Sequence, residues 1–281
     1  MGVTIVVDST SDMIPEVASR VKVVPMTIHF GQQEYVSGVD MDNRRFYEML
    51  VESDTLPTTS QASPYAFEQV FRQAVEQGNE VVCITCSGKL SGTCQSARIA
   101  AEEFPGKIHV VDSNTIAIGL GILTEYALEL LDRGFHAEEI AWNLLQKREK
   151  IRLLARVDTL EYLKKGGRIS ATAALAGSLL NIKPVITIDQ GEILVLGKAR
   201  GSRQANNLLM QEIGKAGGVD FKKPLLLGYT GLSDTLLQKY IQDSASLWQD
   251  NCSRLQISLV GSVVGTHVGP GAIAVAFFAA E

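Results

Sequence analysis

The sequence predicts an α/β protein of two α/β domains. The N-terminal domain, residues 1–150, carries a largely parallel sheet with helical crossovers; the C-terminal domain, residues 151–281, carries a mixed sheet with helices. Three observations lead there. Short β-branched runs alternate with helix-period segments through the first half, an order that favours parallel strands joined by helices. Polar segments follow those strands directly, as at Asp8-Ser9 and Asp112-Ser113. After residue 150 the pattern changes, and Asp189-Gln190-Gly191 between two apolar runs reads as a hairpin.

Taken in order, Val3–Val7 is a strand, Asp8–Asp12 a polar loop, and a helix starts near Ile14 with Ser11 or Asp12 as its cap and Pro15 in its first turn. Val21–Phe30 reads as one strand, with Tyr35-Val36-Ser37 pairing back after Gly31. Asp42 caps a helix to about Glu52, which accounts for it better than a metal site shared with Asp40. Leu56–Pro64 reads as a hydroxyl-rich loop between prolines, with Ser63 capping the next helix. A strand over Glu80–Thr85 leads through Ser87–Thr93 into a helix from Cys94. Then come a strand over Lys107–Val111 and helices over Ile116–Leu131 and Ala137–Lys147. In the second half, Ile151–Ala155 is a strand, Thr159–Lys164 a short helix, Lys164–Ser170 a basic turn and Ala171–Leu180 a small-residue helix. The hairpin strands are Lys183–Ile188 and Glu192–Leu196. Helix Ser202–Ala216, strand Pro224–Tyr229, helix Asp234–Trp248 and strand Leu255–Leu259 follow. Gly265–Gly271 is expected to be a flexible loop presenting His267, and Ala272–Phe278 is the last strand.

Composition narrows the function. Hydrophobic residues make up 46% and charged residues 20% of the 281, enough apolar content for a filled core. The net charge of −5, without a long basic run, disfavours nucleic acid as a partner. No apolar run approaches ~20 residues, so no transmembrane segment is expected. The opening residues enter a strand rather than a signal sequence, and a cytoplasmic location is expected. Of the four cysteines, Cys83 and Cys86 have C-x-x-C spacing. On a strand, residues three apart face opposite ways, so they read as buried small residues rather than a redox or zinc pair.

No phosphate loop, dinucleotide fingerprint, nucleophile elbow or zinc-protease motif is present; Gly119-Leu120-Gly121 lacks a third glycine and lies in a helical pattern. No cofactor or metal is expected, and a nucleotide-binding enzyme is disfavoured. What remains is a set of donors: Thr59, Ser60, Ser91, Thr93 and His267, with helix N-termini after Gln61 and Gly92 and positive charge from Arg168 and Arg200. Such a set suits holding a carboxylate or phosphate. The alternative is a small-molecule esterase or hydrolase using Ser91 as nucleophile and His267 as base, with Asp8 or Asp112 as weak candidates to orient it.

In this order Asp8-Ser9-Thr10-Ser11-Asp12, Thr59-Ser60-Gln61-Ala62-Ser63, Leu90-Ser91-Gly92-Thr93, Leu163–Ile169 with its Gly-Gly-Arg turn, and His267-Val268-Gly269-Pro270-Gly271 span essentially the whole chain. Together they resemble the DegV family of bacterial fatty-acid-binding proteins. The resemblance implies that a long-chain fatty acid lies in a buried tunnel, with its carboxylate near the domain junction held by Thr59, Ser60, Ser91 and His267. It also implies that Arg168 and Arg200 serve phosphotransfer or partner contact, and that the partner is a separate fatty-acid kinase catalytic subunit making an acyl phosphate. The chain itself would then be a carrier rather than an enzyme. Ala62 stands where the family usually has proline, and Cys94 where tyrosine often follows Ser-Gly-Thr; neither removes a proposed carboxylate donor.

Overall fold

The computed structural model describes residues 2–170 and 181–280. The segment expected to be helical at 171–180 lies outside the described residues. Three sheets organise the chain. A four-stranded parallel sheet has the order β2-β1-β6-β7, with β1 at Val3–Asp8, β2 at Lys22–Val24, β6 at Glu80–Thr85 and β7 at Ile108–Asp112. A small antiparallel sheet, β4-β3-β5, joins Gln33–Val36, Thr27–Phe30 and Thr58–Ser60. A mixed six-stranded sheet has the order β10-β9-β8-β13-β11-β12: β8 is Ile151–Arg156, β9 Ile182–Asp189, β10 Glu192–Arg200, β11 Leu225–Tyr229, β12 Gln256–Leu259 and β13 Ile273–Phe278. Its neighbours are antiparallel except β11 and β12.

The helices are α1 (Pro15–Ala18), α2 (Asn43–Glu52), α3 (Pro64–Glu76), α4 (Thr93–Ala101), α5 (Ala117–Asp132), α6 (Ala137–Lys147), α7 (Glu161–Lys165), α8 (Gly201–Lys215), α9 (Thr235–Asp243), α10 (Ala245–Trp248) and α11 (Ser262–Val268). The alternation of the parallel strands divides two cores. Ile5, Val7, Val82 and Ile84 face α5, while Val6, Val81 and Cys83 face Phe46, Tyr47, Phe67 and Phe71 of α2 and α3. Cys83 and Cys86 fall in different cores, and both are free thiols. Helix α5 is apolar nearly all round because it packs against β1 and β6 as well as β8, β11 and β13. The other face of the six-stranded sheet is covered by α8 and α9 around Leu209, Ile213, Leu237, Tyr240 and Trp248.

Several expectations are corrected. Val21–Phe30 is two strands in two sheets. Pro25 interrupts the run, and the chain crosses over with the Met26 amide donating to the Ser9 hydroxyl at 2.9 Å. Thr58–Ser60 is a strand rather than a loop, because β3 pairs with it at Ile28 and Thr59. The helix expected over Asp234–Trp248 breaks at Ser244, whose hydroxyl donates to the Tyr240 carbonyl at 2.5 Å and accepts from the Trp248 indole at 3.0 Å. Asp42 caps α2 through the Arg45 amide at 2.8 Å, and no cluster of metal-ligating side chains occurs among the described residues. Asp12 caps no adjacent helix; α1 begins at an Ile14 cap without a side-chain bond.

The largest difference concerns His267. It sits in the last turn of α11, not in a flexible loop. Gly261, Gly265 and Gly269 recur every fourth residue and give α11 a flat face. A Cβ at 265 would lie 2.6 Å from the Tyr47 hydroxyl, and one at 269 would lie 2.4 Å from the Tyr162 ring. Through that face a late helix packs on α2, β3 and β5 of the early chain. All strands of the parallel and three-stranded sheets precede residue 150, all those of the six-stranded sheet follow it, and α11 crosses back.

Close approach of this kind makes a stability prediction. A Cβ at Gly121 in α5 would meet the Asp12 carbonyl oxygen, whereas one at Gly214 in α8 meets nothing within 4 Å. Gly121→Ala should destabilise by roughly 1–3 kcal/mol despite its gain in helix propensity. Gly214→Ala should stabilise by about 0.4–1 kcal/mol. Urea denaturation of both variants checks the contrast.

Candidate functional site

Of the six residues that the family resemblance implies for the site, four line one cavity: Thr59, Ser91, Arg168 and His267. Each arrives there for a local reason. Thr59 is the middle residue of β5, so alternation turns it inward while Thr58 and Ser60 are exposed. Its Oγ1 lies 2.8 Å from His267 Nε2. Ser91 precedes α4 and shares a hydrogen bond with Thr93 across 2.9 Å. Arg168 follows a turn that closes α7. Gly167 adopts φ +71°, and the Arg168 amide reaches back to the Leu163 carbonyl at 3.0 Å. The arginine then donates from Nε to the Leu90 carbonyl at 3.3 Å and from Nη1 to the Gly166 carbonyl at 2.5 Å. Gly166 makes room for the imidazole, since a Cβ there would lie 2.3 Å from His267 Nδ1. The two glycines of the Gly-Gly-Arg turn thus have separate tasks, one steric and one conformational.

Ser60 and Arg200 stand apart. The Ser60 hydroxyl is 2.8 Å from His29 Nε2 on the outer side of the small sheet. Arg200 is exposed where β10 meets α8.

Burial and the nearby Arg168 charge lower the His267 pKa from 6.5 to about 4, so the imidazole is neutral at neutral pH. The imidazole at this site is therefore a neutral ring paired with Thr59, not a charged double donor. Among the described residues, Nδ1 is buried without a hydrogen-bond partner and no carboxylate orients it. Ser91 is paired with Thr93 and His267 with Thr59, which is not the nucleophile–base–acid relay of a hydrolase. Among the described residues, Arg168 is the one charged side chain lining this cavity, and α4 begins beside Ser91. Hydroxyls, one guanidinium and a helix N-terminus suit an anion that is held and not attacked.

A second cavity adjoins the first: Ile116, Ile193, Val264 and Val268 line both. Its floor is a row across the six-stranded sheet, Ile186–Ala155–Ala274–Gly228, set by the ladder registers. Its roof includes Val264 and Val268 of α11, Val260 just before the Gly261 cap at the same spacing of four, and Ile116 and Ala117 where α5 begins. Three small residues in one row leave the space, and aliphatic side chains line most of it. Sequence reasoning did not single out this row. Its trace was the last strand, where Ala272, Ala274 and Ala276 alternate with Ile273, Val275 and Phe277.

Residues 2–280 match the family described as uncharacterised protein, DegV family. The chain belongs to the DegV family. A DegV domain-containing protein of Deinococcus radiodurans is 36% identical, with 98% of each chain covered. A DegV family protein from Thermus thermophilus, described as fatty acid binding, is 32% identical with a TM-score of 0.84, covering 99% of this chain and 100% of that one. The Fatty Acid Kinase (Fak) B3 protein of Streptococcus pneumoniae, loaded with linoleic acid, shares the fold at a TM-score of 0.85 and 24% identity, with both chains covered fully. In this DegV chain, no helix of the described residues is long and apolar enough to cross a membrane.

The neutral histidine gives a signed pH prediction. Its pKa is lower folded than unfolded, so the unfolded chain binds more protons between about 6.5 and about 4. The stability held above that window should fall as pH drops through it, with no further contribution from this group below it. In His267→Gln that segment of the stability–pH curve should flatten, as measured by chemical denaturation at several pH values.

Proposed function

We propose that this protein binds a long-chain fatty acid, with the acyl chain in the aliphatic cavity and the carboxylate at Thr59, Ser91, Arg168 and His267, and presents that carboxylate to a separate kinase. The observation that carries the reading is the adjacency of the two cavities, which share four wall residues. A polar end with one positive charge shares walls with an aliphatic interior, a shape that matches a single-headed amphiphile. The fatty-acid-binding relative from Thermus thermophilus supports the ligand class.

The energetics agree with a carrier. Each buried methylene contributes roughly 0.8 kcal/mol, so about a dozen give on the order of 10 kcal/mol before the cost of association. The head group then needs orientation and charge balance more than strength. Arg168 supplies the charge, and the neutral His267–Thr59 pair supplies direction. Ser60, engaged by His29, is left out of this clamp. The kinase step rests on the family resemblance of the motifs; the likeness to the Streptococcus pneumoniae protein adds the fold alone. The exposed Arg200 is available for such a partner. The pairing of Ser91 with Thr93, rather than with a base, favours holding the acid over hydrolysing an ester.

A long-chain acid should copurify with the protein and be detected by mass spectrometry after denaturation; a clean protein that also fails to bind added acids contradicts the reading. Ala274→Leu fills the cavity floor and should displace about two methylenes. Palmitic acid should then bind about ten-fold more weakly, and decanoic acid nearly as before, in calorimetric titrations.

A further inference from the structure

Helix α11 carries His267 at one end, and the other end is held in an unusual way. Its cap residue is Gly261, which has no side chain to satisfy the first amides. The early part of the chain supplies the partners instead. The Gly261 amide donates to Asp12 Oδ1 at 2.7 Å, and the Ser262 amide donates to Asn43 Oδ1 at 3.2 Å. The Tyr47 hydroxyl donates to the Val260 carbonyl at 2.9 Å, and Ser37 and Ser262 share a hydroxyl bond at 3.0 Å.

Asp12 differs from the others in the chemistry placed there. It is 6% exposed, and among the described residues its Oδ2 has no hydrogen-bond partner. A buried carboxyl with one unsatisfied oxygen carries a substantial desolvation cost, which an apolar residue would avoid. Its backbone is fixed: the Asp12 amide donates to the Ala117 carbonyl at 3.3 Å, and Gly121 lets its carbonyl press against α5. Gly261 is matched to it, because a Cβ at that position would sit 3.0 Å from Oδ1. Burial pushes the Asp12 carboxyl up to about 8, with Asp8 adding to the shift, so at neutral pH it is the carboxylic acid. An asparagine copies that form in shape and in its acceptor.

We propose that Asp12 is a positioning residue of the head-group site: its carboxyl, anchored on α5, accepts the Gly261 amide, fixes α11 along its axis and thereby sets the His267–Thr59 contact. The contact lies about 10 Å away, one seven-residue helix at ~1.5 Å per residue. Helix α11 is short enough to move as a rigid piece, and its far end makes the Thr59 bond. Losing the Gly261 acceptor lets the helix shift, and the imidazole shifts with it.

The test reads His267 directly. The chain has four histidines, so nitrogen-15 NMR of the full-length protein resolves their rings, with His267→Gln giving the assignment. In ligand-free Asp12→Ala the His267 ring signals should move while the protein stays folded; in Asp12→Asn they should keep their wild-type positions. If Asp12→Ala does not fold, Asp12→Ser, whose hydroxyl is too short to reach the amide, takes its place and should move the signals likewise. Unmoved His267 signals in the folded Ala or Ser variant overturn the proposal, and so does an Asp12→Asn spectrum displaced as far as that of Ala. A second arm rests on the acid-binding reading: palmitic acid should bind about ten-fold more weakly to Asp12→Ala and within about two-fold of wild type to Asp12→Asn. Failure of wild type itself to bind palmitic acid would count against that reading alone, and the ring signals would still decide the role of Asp12.

Discussion

The hydrogen bond between Thr59 and His267 joins residues 208 apart in sequence, and the candidate site exists because α11 is placed to make it. Helix α11 belongs to the late part of the chain but packs into the early part. Glycines at every fourth position let it approach Tyr47 and Tyr162, and the valines on the neighbouring stripe roof the aliphatic cavity. One seven-residue element thereby contributes to the polar end, to the apolar end and to the seam between the sheets.

Electrostatics follow from the same burial. Among the described residues the polar cavity is lined by two groups that can carry positive charge, and burial leaves one of them charged at neutral pH. His267 is held neutral, while Arg168 keeps its backbone carbonyl partners and lies among the hydroxyls. A single fixed charge balances one carboxylate. A second buried cation would have to be desolvated whenever the site was empty.

Much of this was legible in the sequence. The parallel strands, α5, α6 and the β9–β10 hairpin follow from period and turn residues, and Thr59, Ser91, Arg168 and His267 were marked by their place in polar segments after or between strands. What was illegible has identifiable causes. The glycines of Gly265–Gly271 suggest a loop, and only the partner surface of α2 and α7 shows that Gly265 and Gly269 lie on a helix face. Thr59 and Ser60 are equivalent as letters; the β3–β5 ladder turns one inward and the other out. The small-residue row on the sheet needs the registers of four strands, and no single segment carries it. Asp12 was read as a local cap because its partner, Gly261, lies 249 residues away.

The central claim is that the two cavities form one acyl site whose polar end is the Thr59–His267 pair. A crystal structure with palmitic acid tests it most directly. The account predicts the carboxylate within hydrogen-bonding distance of Thr59, Ser91 or His267 and the acyl chain running over Ala155, Ala274 and Gly228 beneath Val264. A carboxylate bound away from those donors, or an acyl chain that leaves the sheet row uncovered, would contradict it.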